Sequence, residues 1–151
     1  MFRGTFEQRI DEKGRINVPV KFRDALRELG DDRLFLTNFR VDDARCLEGR
    51  PYAEWLKEEQ RIGALTTLSP AAKAFWDNFY LPGAQELAID KQGRLLVPPT
   101  LREFAVLVKD VVFTGSGLKF RVWDKLKWDT VRQAAEQHAV SNQSVLTELG
   151  L

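Results

Sequence analysis

The sequence predicts an α+β fold made of two tandem copies of one unit, and three observations carry that expectation. First, Ile10-Asp-Glu-Lys-Gly-Arg-Ile-Asn-Val-Pro19 and Ile89-Asp-Lys-Gln-Gly-Arg-Leu-Leu-Val-Pro98 agree at six of ten positions: Ile10/Ile89, Asp11/Asp90, Gly14/Gly93, Arg15/Arg94, Val18/Val97 and Pro19/Pro98. The agreement continues at the same offset of 79 residues through Phe22/Leu101, Arg23/Arg102 and Asp24/Glu103, and self-similarity at a fixed spacing marks a repeated structural unit. Second, apolar residues alternate on both sides of the glycine, the pattern of half-buried strands. Third, a helical period follows the Val-Pro pair. A looser echo, Leu36-Thr37 against Phe113-Thr114 and Trp55 against Trp128, extends each copy over most of its half. The expected organisation is a first unit over 1–81, a second over 82–138 and a C-terminal tail over 139–151.

Each element has a local reason. Phe6, Gln8 and Ile10 share one face of the first strand, while Ile16 and Val18 share one face of the second. Between them, Gly14 is free to take positive φ and the Asp11 carboxylate can accept turn amides, which predicts a tight hairpin. Pro19 is expected in the first turn of a helix presenting Phe22, Ala25, Leu26 and Leu29, with Gly30 placed to end it. Leu34-Phe35-Leu36-Thr37 and Val111-Val112-Phe113-Thr114 predict buried strands, and Lys119–Trp123 a further one. The counterpart around Cys46-Leu47-Glu48 carries Gly49 and Pro51 and is expected to be short or irregular. Further helices are expected from Pro51, from Ser69-Pro70 and from Asp124, the last presenting Trp128, Val131 and Ala135. Residues 139–151 lack a strong period and are expected to fray or to form an oligomer contact.

Composition narrows the function. A chain of 151 residues with 44% apolar and 11% aromatic residues has material for a core without disulfides. Lys+Arg 23 against Asp+Glu 22 leaves a net charge of +1, so nucleic-acid binding must rest on a local patch or on many copies acting together. The N-terminus has no apolar signal core and no 18-residue apolar span follows, which predicts a cytoplasmic protein without membrane contact. The single cysteine, Cys46, reads as a small buried hydrophobe, and His138 as a residue near a helix end. With one of each, no metal site, cofactor or Cys/His nucleophile pair is expected, and no phosphate-cradling glycine loop or nucleophile motif suggests an enzyme. Trp55, Trp76, Trp123 and Trp128 are expected in the core or at a subunit interface rather than as base-stacking platforms.

Met1-Phe-Arg-Gly4, Asp11-Glu-Lys-Gly-Arg15, Val18-Pro19 and Phe22-Arg23, followed by Gly83-Ala84, Asp90-Lys-Gln-Gly-Arg94, Val97-Pro98 and Leu101-Arg102-Glu103, resemble the MraZ family of bacterial transcriptional regulators. The resemblance covers nearly 130 residues, and two such DxxGR turns behind an N-terminal FRG form a specific combination. It implies an AbrB-like swapped-hairpin (double-psi-like) β-barrel with flanking helices, formed by the two units together. It further implies a ring-shaped homo-oligomer that binds double-stranded DNA at short direct repeats upstream of its own division and cell-wall operon, usually repressing it, and hence a nucleoid association.

Charge separates the two copies. Residues 1–27 carry seven basic and four acidic side chains, whereas 80–106 carry three of each. Asn17 in the first copy is Leu96 in the second, so the first hairpin is expected to face DNA and the second to be packed. Arg15 is then expected at a phosphate or guanine edge, with Lys13 and Arg9 adding phosphate contacts and Arg3 reaching the backbone from the N-terminal arm. Asp11 is expected to order the turn or pair with Arg15, an exposed ion pair being worth at most about 1 kcal/mol. Gly14, Pro19, Asp90, Gly93, Arg94 and Pro98 read as fold-determining. The alternative function is an oligomeric protein-interaction scaffold without direct DNA binding.

Overall fold

Alternating side chains at the N-terminus become strand β1 (Thr5–Arg9), and the stretch after the first turn becomes β2 (Arg15–Asn17), in a computed structural model that describes all 151 residues. The chain continues through α1 (Val20–Glu28), β3 (Arg33–Val41), β4 (Ala44–Pro51), α2 (Tyr52–Gly63), α3 (Pro70–Phe75) and a π-helical turn (Trp76–Tyr80). Its second half contains β5 (Gln85–Ala88), β6 (Arg94–Leu96), α4 (Pro99–Ala105), β7 (Asp110–Ser116), β8 (Lys119–Asp124), α5 (Lys125–Ser141) and α6 (Ser144–Leu149). The α+β class is as expected.

Helix starts follow their caps. Ser69 Oγ accepts from the Ala72 amide at 3.1 Å, and Asp124 Oδ2 accepts from the Lys127 amide at 3.3 Å. Ser69→Ala should therefore cost about 1 kcal/mol, seen by calorimetry as a melting temperature lower by about 2–4 °C. Pro19 sits one residue earlier than expected, as the N-cap of α1 rather than inside its first turn, and Pro98 is likewise the N-cap of α4. The reason is visible at Pro19, whose extended ψ of 139° lets its carbonyl accept from Phe22 and Arg23 while the ring fixes φ. Gly30, at φ 72°, follows α1 as anticipated.

Strand pairing exchanges elements between the copies. The large antiparallel sheet has the order β1-β7-β8-β4-β3-β5, and β2 pairs only with β6. Thus the first strand of each copy joins the sheet beside a later strand of the other: β1 on β7, and β5 on β3. The expected local hairpin is reduced to its turn, closed by Asp11 N–H to Arg15 O and Gly14 N–H to Asp11 O, both 3.0 Å, plus one bridge between Ile10 and Ile16. Beyond it the arms diverge, because an isolated two-stranded hairpin leaves one face wet, whereas crossing buries Ile16 and Val18 together with Leu95 and Val97. The edges β1 and β5 do not pair with one another, so hydrogen bonding leaves the sheet open and does not close the barrel that the resemblance implied.

One apolar core spans both copies. Phe2, Phe22, Phe113 and Phe120 meet mostly edge to face, with Phe2 5.1 Å from Phe22 and 5.2 Å from Phe120 between ring centroids. A second aromatic layer stacks Phe35, Trp55 and Tyr80 under α2 and the π-helical turn. Trp55 and Trp123 are buried as expected, and Trp76 and Trp128 half-buried. Cys46 is fully buried, and burial pushes its thiol pKa up to about 12, in keeping with a packing role.

One expectation fails here. The strand around Cys46 is eight residues long and lies in the middle of the sheet between β8 and β3. Gly49 is the cause rather than an obstacle, since any Cβ there would collide with the Phe120 ring, and Pro51 falls where the strand hands over to α2. The tail, expected to fray or to form an oligomer contact, is helical: α5 runs to Ser141, supported by Arg132 and Glu136 one turn apart, and α6 follows, ended by Gly150 at φ 72°. Ala135 lies exposed on α5 rather than packed, and His138 is exposed near the helix end. No helix is long and apolar enough to cross a membrane, and no group of His, Cys, Asp and Glu has the geometry of a metal site.

Candidate nucleic-acid interface

The two turns are built alike. Asp11 Oδ1 accepts from the amides of Lys13 at 3.0 Å and Arg15 at 2.9 Å, and its Oδ2 accepts from Arg15 Nε at 2.7 Å. Asp90 repeats this with the amides of Gln92 and Arg94, both 2.9 Å, and Arg94 Nε at 3.1 Å. Gly14 and Gly93 hold φ at 89° and 77°, where a side chain is strained. The backbone amide of Arg15 foremost, then its guanidinium, holds the Asp11 carboxyl below the ordinary Asp value of 3.8, and Arg94 does the same for Asp90. A carboxyl with a lowered folded-state pKa stabilises above the unfolded value and loses that contribution as pH falls through the folded one. The double variant Asp11→Asn/Asp90→Asn should accordingly show a smaller drop in melting temperature than wild type between about pH 5 and about pH 2.

The strand register joins the turns into one surface. In the β2–β6 ribbon Arg15 lies opposite Leu96, Ile16 opposite Leu95 and Asn17 opposite Arg94. Ile16 and Leu95 are buried, so Arg15, Asn17, Arg94 and Leu96 share the outer face. Leu96 is 57% exposed, which corrects the expectation of a packed second hairpin. The reason is parity: antiparallel pairing of β2 with β6 sends the same alternate residues of both strands outward.

Arg102 and Arg23 brace the ribbon from α4 and α1. Arg102 Nη1 donates to Glu12 O at 3.3 Å and its guanidinium lies over Gly14, where a Cβ would come within 2.9 Å of Cζ. Arg23 Nε donates to Val18 O at 3.1 Å and packs on Gly93. Each arginine thus braces the other copy's turn. Sequence reading did not assign them this role, although their pairing at the repeat offset was the available signal.

The remaining basic residues are spread out. Lys13 is exposed at the turn itself, adjoining Arg15. Arg9 is 73% exposed at the end of β1 and reaches Asp110 at 3.4 Å. Arg3 lies at the opposite end of β1, about 26 Å of extended chain from the turn, where Phe2 is anchored by paired backbone bonds to Gly117 and where Arg3 lines a hollow with Lys21. The ribbon therefore brings together Arg15 and Arg94, with Lys13 in the turn two residues before Arg15, but not Arg3.

A family model described as "MraZ protein, putative antitoxin-like" matches residues 1–78 and 80–147, one match to each half. The chain is 41% identical over 160 residues to the transcriptional regulator MraZ of Geotalea uraniireducens and 40% identical over 152 residues to that of Desulfitobacterium hafniense strain Y51, each across 100% of both chains. It is also 40% identical over 135 residues to the transcriptional regulator MraZ of Acidithiobacillus ferrooxidans, across 88% of this chain and 89% of that one. Neither the family description nor the relatives' name is that of an enzyme. With both DxxGR turns present, and with matches at this identity running the length of the chain, the protein belongs to the MraZ family.

Proposed function

We propose that the protein is a sequence-specific DNA-binding transcriptional regulator whose β2–β6 ribbon is the reading surface. The observation that carries this proposal is the shared outer face of Arg15, Asn17 and Arg94, with Lys13 at its edge, on a ribbon drawn from both copies. Arginine and asparagine are the side chains suited to base edges, and lysine to phosphate. Asp11 and Asp90 pre-orient the two guanidinium groups and are not contacts themselves. Arg9 adds a phosphate contact from the flank, while Arg3, at the far end of β1, lies outside this surface. The units 1–81 and 82–138 act as one body, with ribbon and sheet together playing the part of a swapped-hairpin barrel. Support for that comes from Ile16, Val18, Leu95 and Val97 lying in the same core as Leu34, Leu36, Val111 and Phe113.

A protomer of net charge +1 has little electrostatic affinity. Ring oligomers on short direct repeats compensate, since each bound copy raises the effective concentration of the next and avidity exceeds single-site affinity by about 10²–10⁴. The target we propose, as the family resemblance implies, is the promoter of its own division and cell-wall operon, and the effect repression in association with the nucleoid. Fluorescence anisotropy with duplex from upstream of that operon tests this. The affinity should fall as salt rises, with a log–log slope of about −0.9 for each phosphate neutralised. Binding that ignores salt, or no binding at low salt, would contradict it.

A further inference from the structure

Away from the ribbon, a cavity of about 270 Å³ opens between α2, α3, the π-helical turn and the β3–β4 face. Its walls are apolar, chiefly Phe39, Leu65, Leu68, Phe75 and Trp76. Its floor is charged. Glu48, 2% exposed, is met by Arg121 Nε at 3.0 Å and by Arg50 Nη2 and Lys119 Nζ, both at 3.7 Å, and it accepts the Tyr80 hydroxyl at 2.7 Å. Three cations therefore converge on one carboxylate, and two of them, Arg50 and Lys119, line the cavity. A second carboxylate, Glu58, also lines the cavity; it pairs with Arg61 at 2.9 Å, and Arg61 foremost, with Arg50 and Lys119 contributing, holds its carboxyl below the ordinary range. Arg50 Nε is moreover a buried donor with no hydrogen-bond partner, an uncommon condition in a folded protein. One wall is a π-helical turn, an element frequent at functional sites.

We propose that this cavity binds a small organic anion with a flat apolar body. Its acidic group sits on Arg50 and Lys119, where four cations, Arg50, Arg61, Lys119 and Arg121, face only the two carboxylates of Glu48 and Glu58, and its body lies against Trp76, Phe39, Phe75 and Leu65. Few precisely placed charges at the end of an apolar cleft are the usual make-up of a small-molecule site. The site is separate from the ribbon and does not depend on whether the ribbon binds DNA.

The test uses the full-length protein and 8-anilinonaphthalene-1-sulfonate, an aromatic anion, beside its uncharged analogue N-phenyl-1-naphthylamine. Enhanced probe fluorescence should saturate at one probe per chain, with the neutral analogue at least about tenfold weaker, the loss expected for one missing charge-assisted contact. Lys119→Gln should weaken the anion about tenfold and leave the neutral analogue unchanged. Ala72→Trp, which fills the cavity from the exposed side of α3, should abolish both signals while the circular dichroism spectrum stays that of wild type. No saturable binding by wild type, equal affinity for the two probes, or anion binding that survives Ala72→Trp would each overturn the proposal.

Discussion

Glu48→Ala should lower the stability by about 3–5 kcal/mol, the cost of removing one partner from a buried ion cluster, or roughly 6–20 °C in melting temperature for a domain of this size. The magnitude follows from asymmetry. Glu48 is the sole carboxylate shared by Arg50, Lys119 and Arg121, and its removal leaves their charges facing one another beside a buried strand. The Tyr80 hydroxyl would also lose its acceptor. Burial, reinforced by the neighbouring Glu48 charge, pushes the Tyr80 pKa upward, so that hydroxyl remains a donor at neutral pH and needs a partner. Glu48→Gln keeps the shape and one acceptor but not the charge, and should fall between alanine and wild type. Differential scanning calorimetry distinguishes these outcomes, and a change under about 1 kcal/mol for alanine would mean that water has replaced the carboxylate.

The second large effect concerns DNA. A guanidinium held by Asp11 at one fixed angle is pre-oriented, and truncating a base-reading arginine typically costs about 1–3 kcal/mol per contact. If several protomers engage one operator, the losses compound along the array. Arg15→Ala should therefore weaken operator binding by at least about tenfold. Local charge favours the first copy, yet the register puts Arg94 on the same face beside Asn17. Arg94→Ala should accordingly weaken binding too, by less than Arg15→Ala, and not leave it untouched as a purely structural residue would.

The repeat itself made much of the fold readable. Identical turn chemistry at Asp11–Arg15 and Asp90–Arg94, the serine cap at Ser69 and the glycine after α1 act over a few residues, so neighbours in sequence suffice to predict them. The strand exchange was out of reach because it depends on which partner buries more surface, a comparison between segments more than 100 residues apart such as Phe6 and Phe113. The same holds for β4. Gly49 and Pro51 oppose a strand by local preference, but the ring of Phe120 occupies the space that glycine leaves, and the cations answering Glu48 come from β4 itself and from β8. At the candidate site, Arg15 and Lys13 could be singled out by charge and turn position. The partnership of Arg15 with Arg94, and the bracing of each turn by Arg23 or Arg102 of the other copy, emerged only with the pairing of β2 and β6.

The decisive measurement is an anisotropy titration of wild type, Arg15→Ala and Arg94→Ala against the same operator duplex at two salt concentrations, with oligomer mass followed by light scattering. The ribbon as reading surface predicts salt-sensitive binding by wild type, a loss of at least about tenfold for Arg15→Ala with a salt slope shallower by about one, and a smaller loss for Arg94→Ala. All three proteins should have the same mass. Operator binding by Arg15→Ala and Arg94→Ala as tight as that of wild type would place the DNA elsewhere on the molecule.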